Sequence, residues 1–158
     1  MILGLCGIPR VKSTEYALRE ALRMLEESGS KMVPCGVRGN RIRFGIHCDS
    51  CQNWEGCLQW DDVQELYPLL DLVEIVMIAV IIYNGGVSHK FKTILDRDIA
   101  IFEENPAVLL GRPAFLTVGG DMSGGQKLAI QQIITFSTLN GANALSVEAF
   151  GANLRAPF

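Results

Sequence analysis

Hydrophobic residues follow two patterns along this chain, short apolar runs and helix-spaced stripes, and the two patterns alternate. A short run with few polar interruptions is typical of a strand covered on both faces, as the strands of a parallel sheet are. The runs predict five strands: Ile2–Cys6, Lys31–Val37, Glu74–Ile82, Pro113–Val118 and Ala144–Ala149.

The stripes predict four helices between these strands. Leu18, Leu22 and Leu25, for example, recur at helical spacing with charged residues on the other faces. The helices are expected to run from Ser13 or Thr14 to about residue 27 and to occupy 61–70, 87–102 and 126–139. Because strands alternate with helices, the sequence predicts one three-layer α/β domain over residues 1–158. Its five-stranded parallel sheet is expected to have the order 2-1-3-4-5.

Composition limits the partners of such a domain. The chain has 158 residues, of which 49% are hydrophobic, and a net charge of −3 without a basic tract, so we expect no nucleic-acid partner. No apolar run is long enough to span a membrane, and the first residues lack the basic region of a signal peptide. We therefore expect a cytoplasmic protein with no membrane partner.

Three loops rich in glycine or small polar residues follow predicted strands: Gly7–Ser13, Tyr83–Ser88 and Gly119–Gly125. In a parallel sheet the carboxyl ends of the strands share one edge, and ligands bind there near the point where the strand order reverses. The three loops therefore predict one ligand site at that edge.

The first loop has the features of a site for one phosphate group. It leads into a helix N-terminus, which favours anions, and it carries the cations Arg10 and Lys12 and the hydroxyl groups of Ser13 and Thr14. It contains neither the Gly-Lys-Ser/Thr of a Walker A loop nor the G-x-G-x-x-G dinucleotide motif. An ordinary capped turn between strand and helix is the alternative.

Three of the five cysteines are closely spaced, as Cys48-x2-Cys51-x5-Cys57. This spacing suggests a metal site, but a tetrahedral sulfur site takes four ligands. The other two, Cys6 and Cys35, are expected to be buried apolar residues rather than ligands.

Five segments resemble motifs of one family, the flavodoxin-like NADPH-dependent FMN reductases, and within it the archaeal and bacterial iron–sulfur flavoproteins. These segments are "GIPRVKST", "CDSCQNWEGC", "IIYNGGVSHKFKTILDR", "VGGDMSGGQ" and "FGAN". They occur in the family's order, and the resemblance covers the chain from Ile2 to about Asn153.

The resemblance implies a flavodoxin-like fold that binds FMN and passes electrons from ferredoxin or NAD(P)H to an acceptor. The phosphate would lie near Arg10, Lys12, Ser13 and Thr14. The isoalloxazine ring would lie against Tyr83, Asn84, Gly85, Gly86, Gly119, Gly120 and Asp121. No side chain need act as an acid or base, because the flavin carries the chemistry. In iron–sulfur relatives the cluster relays electrons to a flavin across a subunit contact, so a homodimer or homotetramer is implied.

The family's cysteine motif is Cys-x2-Cys-x2-Cys-x4–7-Cys, and Cys48, Cys51 and Cys57 match its last three positions. Gly45 stands at the first, so the resemblance implies a degenerate iron–sulfur loop. Three occupants remain open: a [4Fe–4S] cluster with a fourth ligand from elsewhere, zinc bound with His47, or no metal at all.

A non-enzymatic flavodoxin-like module is the alternative function. It would have lost FMN, since Ile8 stands where the family has a serine in the phosphate loop, and would use the thiol loop for zinc or a partner. The visible absorption bands of a bound flavin would distinguish the two functions.

Overall fold

A computed structural model of the chain describes residues 1–53, 56–120 and 125–151, without the side chains of the last two. The strands are β1 (Ile2–Cys6), β2 (Met32–Gly36), β3 (Ile75–Tyr83), β4 (Gly86–Val87), β5 (Pro113–Gly120) and β6 (Asn143–Gly151). The helices are α1 (Ser13–Glu27), α2 (Leu66–Leu72), α3 (His89–Asp96), α4 (Ile99–Glu104) and α5 (Gln126–Leu139). None of these helices is long and apolar enough to cross a membrane.

The main sheet is parallel, with the strand order β2-β1-β3-β5-β6. This order confirms the predicted five-strand arrangement. The predicted fourth and fifth strands are β5 and β6, because the two-residue strand β4 intervenes and pairs antiparallel with β3. Cys6 lies beside Ala79, and Ala79 beside Thr117, so the carboxyl ends of the three central strands lie at the same edge.

The helices cover both faces of the sheet. On one face, α1 packs Leu18 and Leu22 against Ile2 and Ala79. On the other, α2, α3 and α5 contribute to a larger buried cluster. The burial of central strand residues such as Ile78 explains why β3 is apolar almost throughout.

The predicted helix from Val87 to Phe102 is two helices, α3 and α4. The break falls at Arg97 and Asp98, two consecutive charged residues that are both buried. Each side chain reaches a polar partner in a different part of the fold. Tertiary contacts of this kind override helical periodicity, which therefore could not predict the break.

Arg97 fastens the long connection between β2 and α2 to the end of α3. Its Nη1 donates to both carboxylate oxygens of Asp61, at 2.7 and 2.5 Å, and to the carbonyl oxygen of Arg43. Its Nη2 donates to Gln59 O at 2.9 Å and to Cys57 Sγ at 3.4 Å. The Arg97 and Asp61 side chains are 2% and 0% exposed, so this is a buried ion pair.

Asp61 is also the N-cap of the 3-10 turn Asp62–Glu65, as its acidic character predicts. Burial alone would raise the pKa of Asp61. Hydrogen bonds from Arg97 and from the backbone N–H groups of Arg43 and Val63 outweigh burial and hold that pKa below its usual range. Asp61 therefore stabilises the fold at neutral pH, and its contribution is lost as the pH falls through its folded-state pKa.

We expect Arg97→Met to lower the free energy of unfolding by about 3–5 kcal/mol, because it leaves the buried Asp61 carboxylate without its cation. Urea titration at pH 7 measures the change. Arg23→Met, which removes an arginine that forms ion pairs on the exposed surface of α1, is the matched control and should have a much smaller effect. Equal effects of the two substitutions would contradict a structural role for the buried pair.

Asp98 forms a second buried polar contact, with α5. Its Oδ2 accepts a hydrogen bond from Asn140 Nδ2 at 2.7 Å, and its Oδ1 has no partner among the described residues. Burial raises the pKa of Asp98 to about 6, and the hydrogen bond from Asn140 offsets only part of that rise. The ionised carboxylate is therefore a cost to the fold at neutral pH.

A carboxyl group with a raised folded-state pKa stabilises the fold when protonated, and this contribution is lost as the pH rises from about 4 to about 6. We expect Asp98→Asn to be more stable than the parent by about 1–3 kcal/mol at pH 7.5, with a smaller difference at pH 4. Urea titration of both proteins across this range measures the difference. A difference in stability that does not depend on pH would contradict the raised pKa of Asp98.

Candidate functional site

The three loops predicted to form a site meet at the carboxyl edge of the sheet. Ser88 Oγ donates a 2.7 Å hydrogen bond to the carbonyl oxygen of Gly7, which joins the first loop to the second. Gly125 lies so close to the second loop that a Cβ on it would be 2.8 Å from the Cα of Gly85. The described parts of the three loops are therefore in contact with one another.

The first loop passes beneath α3 before α1 begins. A Cβ at Gly7 would lie 2.7 Å from the ring of Phe91, so only glycine allows this approach. Ile8 is fully buried, whereas Arg10 and Lys12 are exposed. The loop thus turns Ile8 into the core, and its two cations, like Val11, face the solvent.

The N-terminus of α1 lies directly after these cations. The structure places the N-cap at Lys12, in extended conformation, rather than at Ser13 or Thr14, and no side-chain hydrogen bond caps the helix. Ser13 is half-buried and Thr14 is 3% exposed. Of the four predicted phosphate-binding residues, Arg10 and Lys12 are therefore the most accessible to a ligand.

Glu15, which the sequence analysis did not single out, lies buried in the first turn of α1. Its Oε1 accepts hydrogen bonds from Arg19 at 2.7 Å and from Arg38 at 2.9 Å. Arg38 follows β2, so this contact fastens the loop after β2 to α1. The two guanidinium groups neutralise a carboxylate that would otherwise repel an anion at this helix N-terminus.

The second loop is a two-residue β-hairpin between β3 and β4. Asn84 and Gly85 both have positive φ, 47° and 87°, as the central residues of a type I′ turn require. Gln132 of α5 supports the hairpin by accepting a hydrogen bond from the Val87 N–H at 3.0 Å. Tyr83 is 44% exposed, so an aromatic face is available at the edge of the sheet.

The third loop begins with two buried glycines at the end of β5. A Cβ at Gly120 would lie 2.2 Å from the side chain of Ile82, so glycine is needed there for packing between β3 and β5. Gly119 is buried as well. Asp121, the remaining predicted residue of this loop, lies outside the residues that the structure describes.

The thiol loop, the segment that carries Cys48, Cys51 and Cys57, lines a cavity of about 330 Å³. Cys48, Cys51 and Cys57 all line it, together with Gly45 and Arg97. A Cβ at Gly45 would lie 3.8 Å from the nearest atom of Arg97, an ordinary van der Waals distance, so a side chain can be accommodated at this position.

The three thiols do not form a complete metal site. Within 1–53, 56–120 and 125–151 no group of three or more histidine, cysteine or acidic side chains is arranged to hold a metal ion. His47 is exposed and lies 3.7 Å from the Asp49 carboxylate. Burial raises the pKa of Cys51, which opposes the thiolate form that a metal needs. These donors therefore do not fit a four-cysteine cluster.

Cys6 and Cys35 lie away from this cavity, in β1 and β2, where burial raises the pKa of both thiols. Both residues are half-buried rather than fully buried, and neither is among those lining the thiol cavity.

The thiol loop and the loops at the carboxyl edge contact opposite ends of α3. Ser88, the N-cap of α3, contacts the first loop, whereas Arg97, its C-cap, holds the thiol loop. A helix of eight residues rises about 12 Å. The structure therefore brings the three predicted ligand loops together and keeps the cysteines separate from them.

Comparisons with known proteins identify similar sequences. The chain is 44% identical to an iron–sulfur flavoprotein of Archaeoglobus fulgidus, in an alignment covering all of this chain and 82% of the relative. It is 38% identical to an iron–sulfur flavoprotein of Methanocaldococcus jannaschii, with 99% and 80% covered.

Solved structures show the same fold at low identity. RosB with a bound flavin-type intermediate has a TM-score of 0.73 at 16% identity, with 99% of this chain and 67% of that chain covered. An NADH:FMN oxidoreductase has a TM-score of 0.65 at 18% identity, with 94% and 74% covered. The family model described as NADPH-dependent FMN reductase matches residues 1–153. The chain therefore belongs to the NADPH-dependent FMN reductase family.

Proposed function

We propose that this protein binds FMN at the carboxyl edge of the sheet and passes electrons from ferredoxin or NAD(P)H to an acceptor. The observation that carries the proposal is the junction of three loops at that edge, with two exposed cations and a helix N-terminus at one end. FMN, when bound, supplies the redox chemistry, and the chain holds and orients it.

Each loop has a separate role in this proposal. Arg10 and Lys12, with the N-terminal N–H groups of α1, hold the phosphate. Tyr83 and the Asn84–Gly85 turn border the isoalloxazine ring. The turn is rigid because Gln132 and the close approach of Gly125 support it from behind. The first and second loops keep a fixed spacing through the hydrogen bond of Ser88 to Gly7.

The buried position of Ile8 supports FMN binding over the non-enzymatic alternative. That alternative relied on an apolar side chain at the phosphate position, but Ile8 is 0% exposed and lies in the wall beneath α1 with Leu18 and Leu22. Its side chain therefore takes no part in the exposed surface of the first loop.

We propose that the thiol loop is a degenerate cluster site. Three cysteines line its cavity, Gly45 stands at the first position of the family's motif, and the buried Arg97–Asp61 pair fastens the loop to the end of α3. A labile cluster with an outside ligand and a zinc ion bound with His47 are the other occupants to be tested.

A homodimer or homotetramer is also part of the proposal. The thiol loop and the flavin edge lie at opposite ends of α3 within one chain, which favours a contact between subunits if electrons pass from one to the other. Phe44, Ile46 and Trp60 expose apolar side chains on the thiol loop, as residues at a subunit contact do.

We expect Arg10→Ala to weaken FMN binding about 10- to 100-fold, because it removes a charge-assisted contact to phosphate. Quenching of flavin fluorescence on titration measures the dissociation constant. Lys31→Ala removes an exposed cation just before β2, at the opposite edge of the sheet, and should leave the affinity unchanged. Equal affinities of parent and Arg10→Ala would rule out this phosphate site.

Gly45→Cys tests the degenerate loop. A Cβ at this position would lie 3.8 Å from its nearest neighbouring atom, an ordinary packing distance, so a cysteine fits there. After anaerobic reconstitution with iron and sulfide, we expect the parent to hold well under four irons per chain and the variant about four.

Leu110→Cys is the control, because it adds a cysteine at an exposed position that does not line the thiol cavity. It should hold no more iron than the parent. A parent that already holds a full and stable cluster would show that the loop is not degenerate and that its fourth ligand comes from outside the motif.

A further inference from the structure

The chain contains two Asn-Gly pairs, Asn84–Gly85 and Asn140–Gly141. An asparagine before glycine is the one whose side-chain amide is hydrolysed most readily. The backbone nitrogen of the next residue attacks that amide, and glycine has no side chain to hinder the attack. The two pairs lie in different surroundings in this fold, and the difference decides which of them can react.

Asn84 lies exposed at the tip of the β3–β4 hairpin. Neither its side-chain amide nor the Gly85 N–H forms a hydrogen bond with another residue that the structure describes. Apart from its neighbours along the chain, a Cβ at Gly85 would meet only one atom within 4 Å, Leu128 Cδ1 at 3.9 Å. The nitrogen that attacks and the amide that leaves are therefore both accessible, and the space around them is open.

Asn140, by contrast, is held in place at the C-cap of α5. It is 0% exposed, and its Nδ2 donates to Asp98 Oδ2 at 2.7 Å and to the Phe136 carbonyl oxygen at 2.9 Å. The Gly141 N–H donates to the Thr138 carbonyl oxygen at 3.0 Å. Hydrogen bonds thus hold both groups that would have to react, so the folded chain protects this pair.

We propose that Asn84 is a modification site, which the folded chain converts to an aspartyl or isoaspartyl residue without another enzyme. The Gly85 nitrogen bonds to Asn84 Cγ, the Cγ–Nδ2 bond breaks, and ammonia leaves with the proton of the Gly85 N–H. Water then opens the resulting succinimide ring at either of its carbonyl carbons and leaves a carboxylate. The net reaction consumes one water and releases one ammonia, so it needs neither an oxidant nor a reductant.

The effect of this conversion on electron transfer rests on the proposed binding of FMN. The turn that gains the negative charge is the one assigned to the isoalloxazine ring, and Gln132 and Gly125 support it from behind. A reduced flavin carries more negative charge than an oxidised one, so a carboxylate beside the ring destabilises the reduced form. Conversion of Asn84 therefore makes the reduction potential of bound FMN more negative.

Peptide mapping of the full chain, incubated at pH 8 without FMN, measures conversion at both asparagines. We expect Asn84 to gain the mass of an acid in place of an amide, and isoaspartyl methyltransferase to label it, at least tenfold faster than Asn140. In concentrated urea, where both pairs are unfolded, the two rates should agree within threefold. Equal rates in the folded chain, or an Asn84 that converts in urea but not in the folded chain, would overturn the proposal.

Two variants test the effect of the new charge on FMN. Asn84→Asp supplies the carboxylate directly, and Asn84→Gly cannot be converted. Both retain the hairpin, because Asp-Gly and Gly-Gly suit the positive φ angles of a type I′ turn. We expect bound FMN to have a more negative potential in Asn84→Asp than in Asn84→Gly.

Incubation at pH 8 should shift the potential of the parent towards that of Asn84→Asp and leave that of Asn84→Gly unchanged. Equal potentials of the two variants would overturn the effect on electron transfer. A parent that converts at Asn84 but binds no FMN would contradict the proposed function and support the modification site, so the two failures are distinguishable.

Discussion

The buried ion pair of Arg97 with Asp61 is the interaction on which the long connection between β2 and α2 depends. That connection contains little regular structure beyond two 3-10 turns and exposes many of its side chains. Arg97 holds it by reaching the Arg43 carbonyl oxygen, the Asp61 carboxylate and the Cys57 thiol from one guanidinium group. A planar group with five donors can join several chain segments, which a lysine could not do. Arg97, a side chain of the scaffold, therefore fastens three segments of this connection to the end of α3.

At the other end of α3, closely packed glycines hold neighbouring loops and strands together. Gly7 admits the ring of Phe91, Gly120 admits Ile82, and Gly125 lies against Gly85. Each contact brings two loops or strands together at the carboxyl edge, where a larger residue would separate them. Gly85 and Gly120, which the resemblance places near the flavin ring, are therefore also needed for close packing of the fold. They position the candidate site before any ligand binds.

The sequence predicted the sheet order, because buried parallel strands have a strong local pattern, and it placed the three glycine loops after strands of that sheet. It did not predict β4, a two-residue strand too short for a periodic signal, although the Asn84–Gly85 pair is a known hairpin signal. It also missed the break at Arg97 and the burial of Glu15. Both depend on partners distant in sequence, Asp61 and Arg38, and no local pattern identifies such partners without alignment or structure.

Arg97 and Asp98 are consecutive buried charges that differ in how completely the fold compensates them. Both Nη atoms of Arg97 donate to partners among the described residues, its Nε has none there, and the carboxylate it pairs with is held ionised. Asp98 has one donor for two oxygens, and burial raises its pKa. The first pattern is that of a structural contact, since both charges are compensated. The second leaves the ionised carboxylate as a cost to the fold at neutral pH, and protonation removes that cost at lower pH.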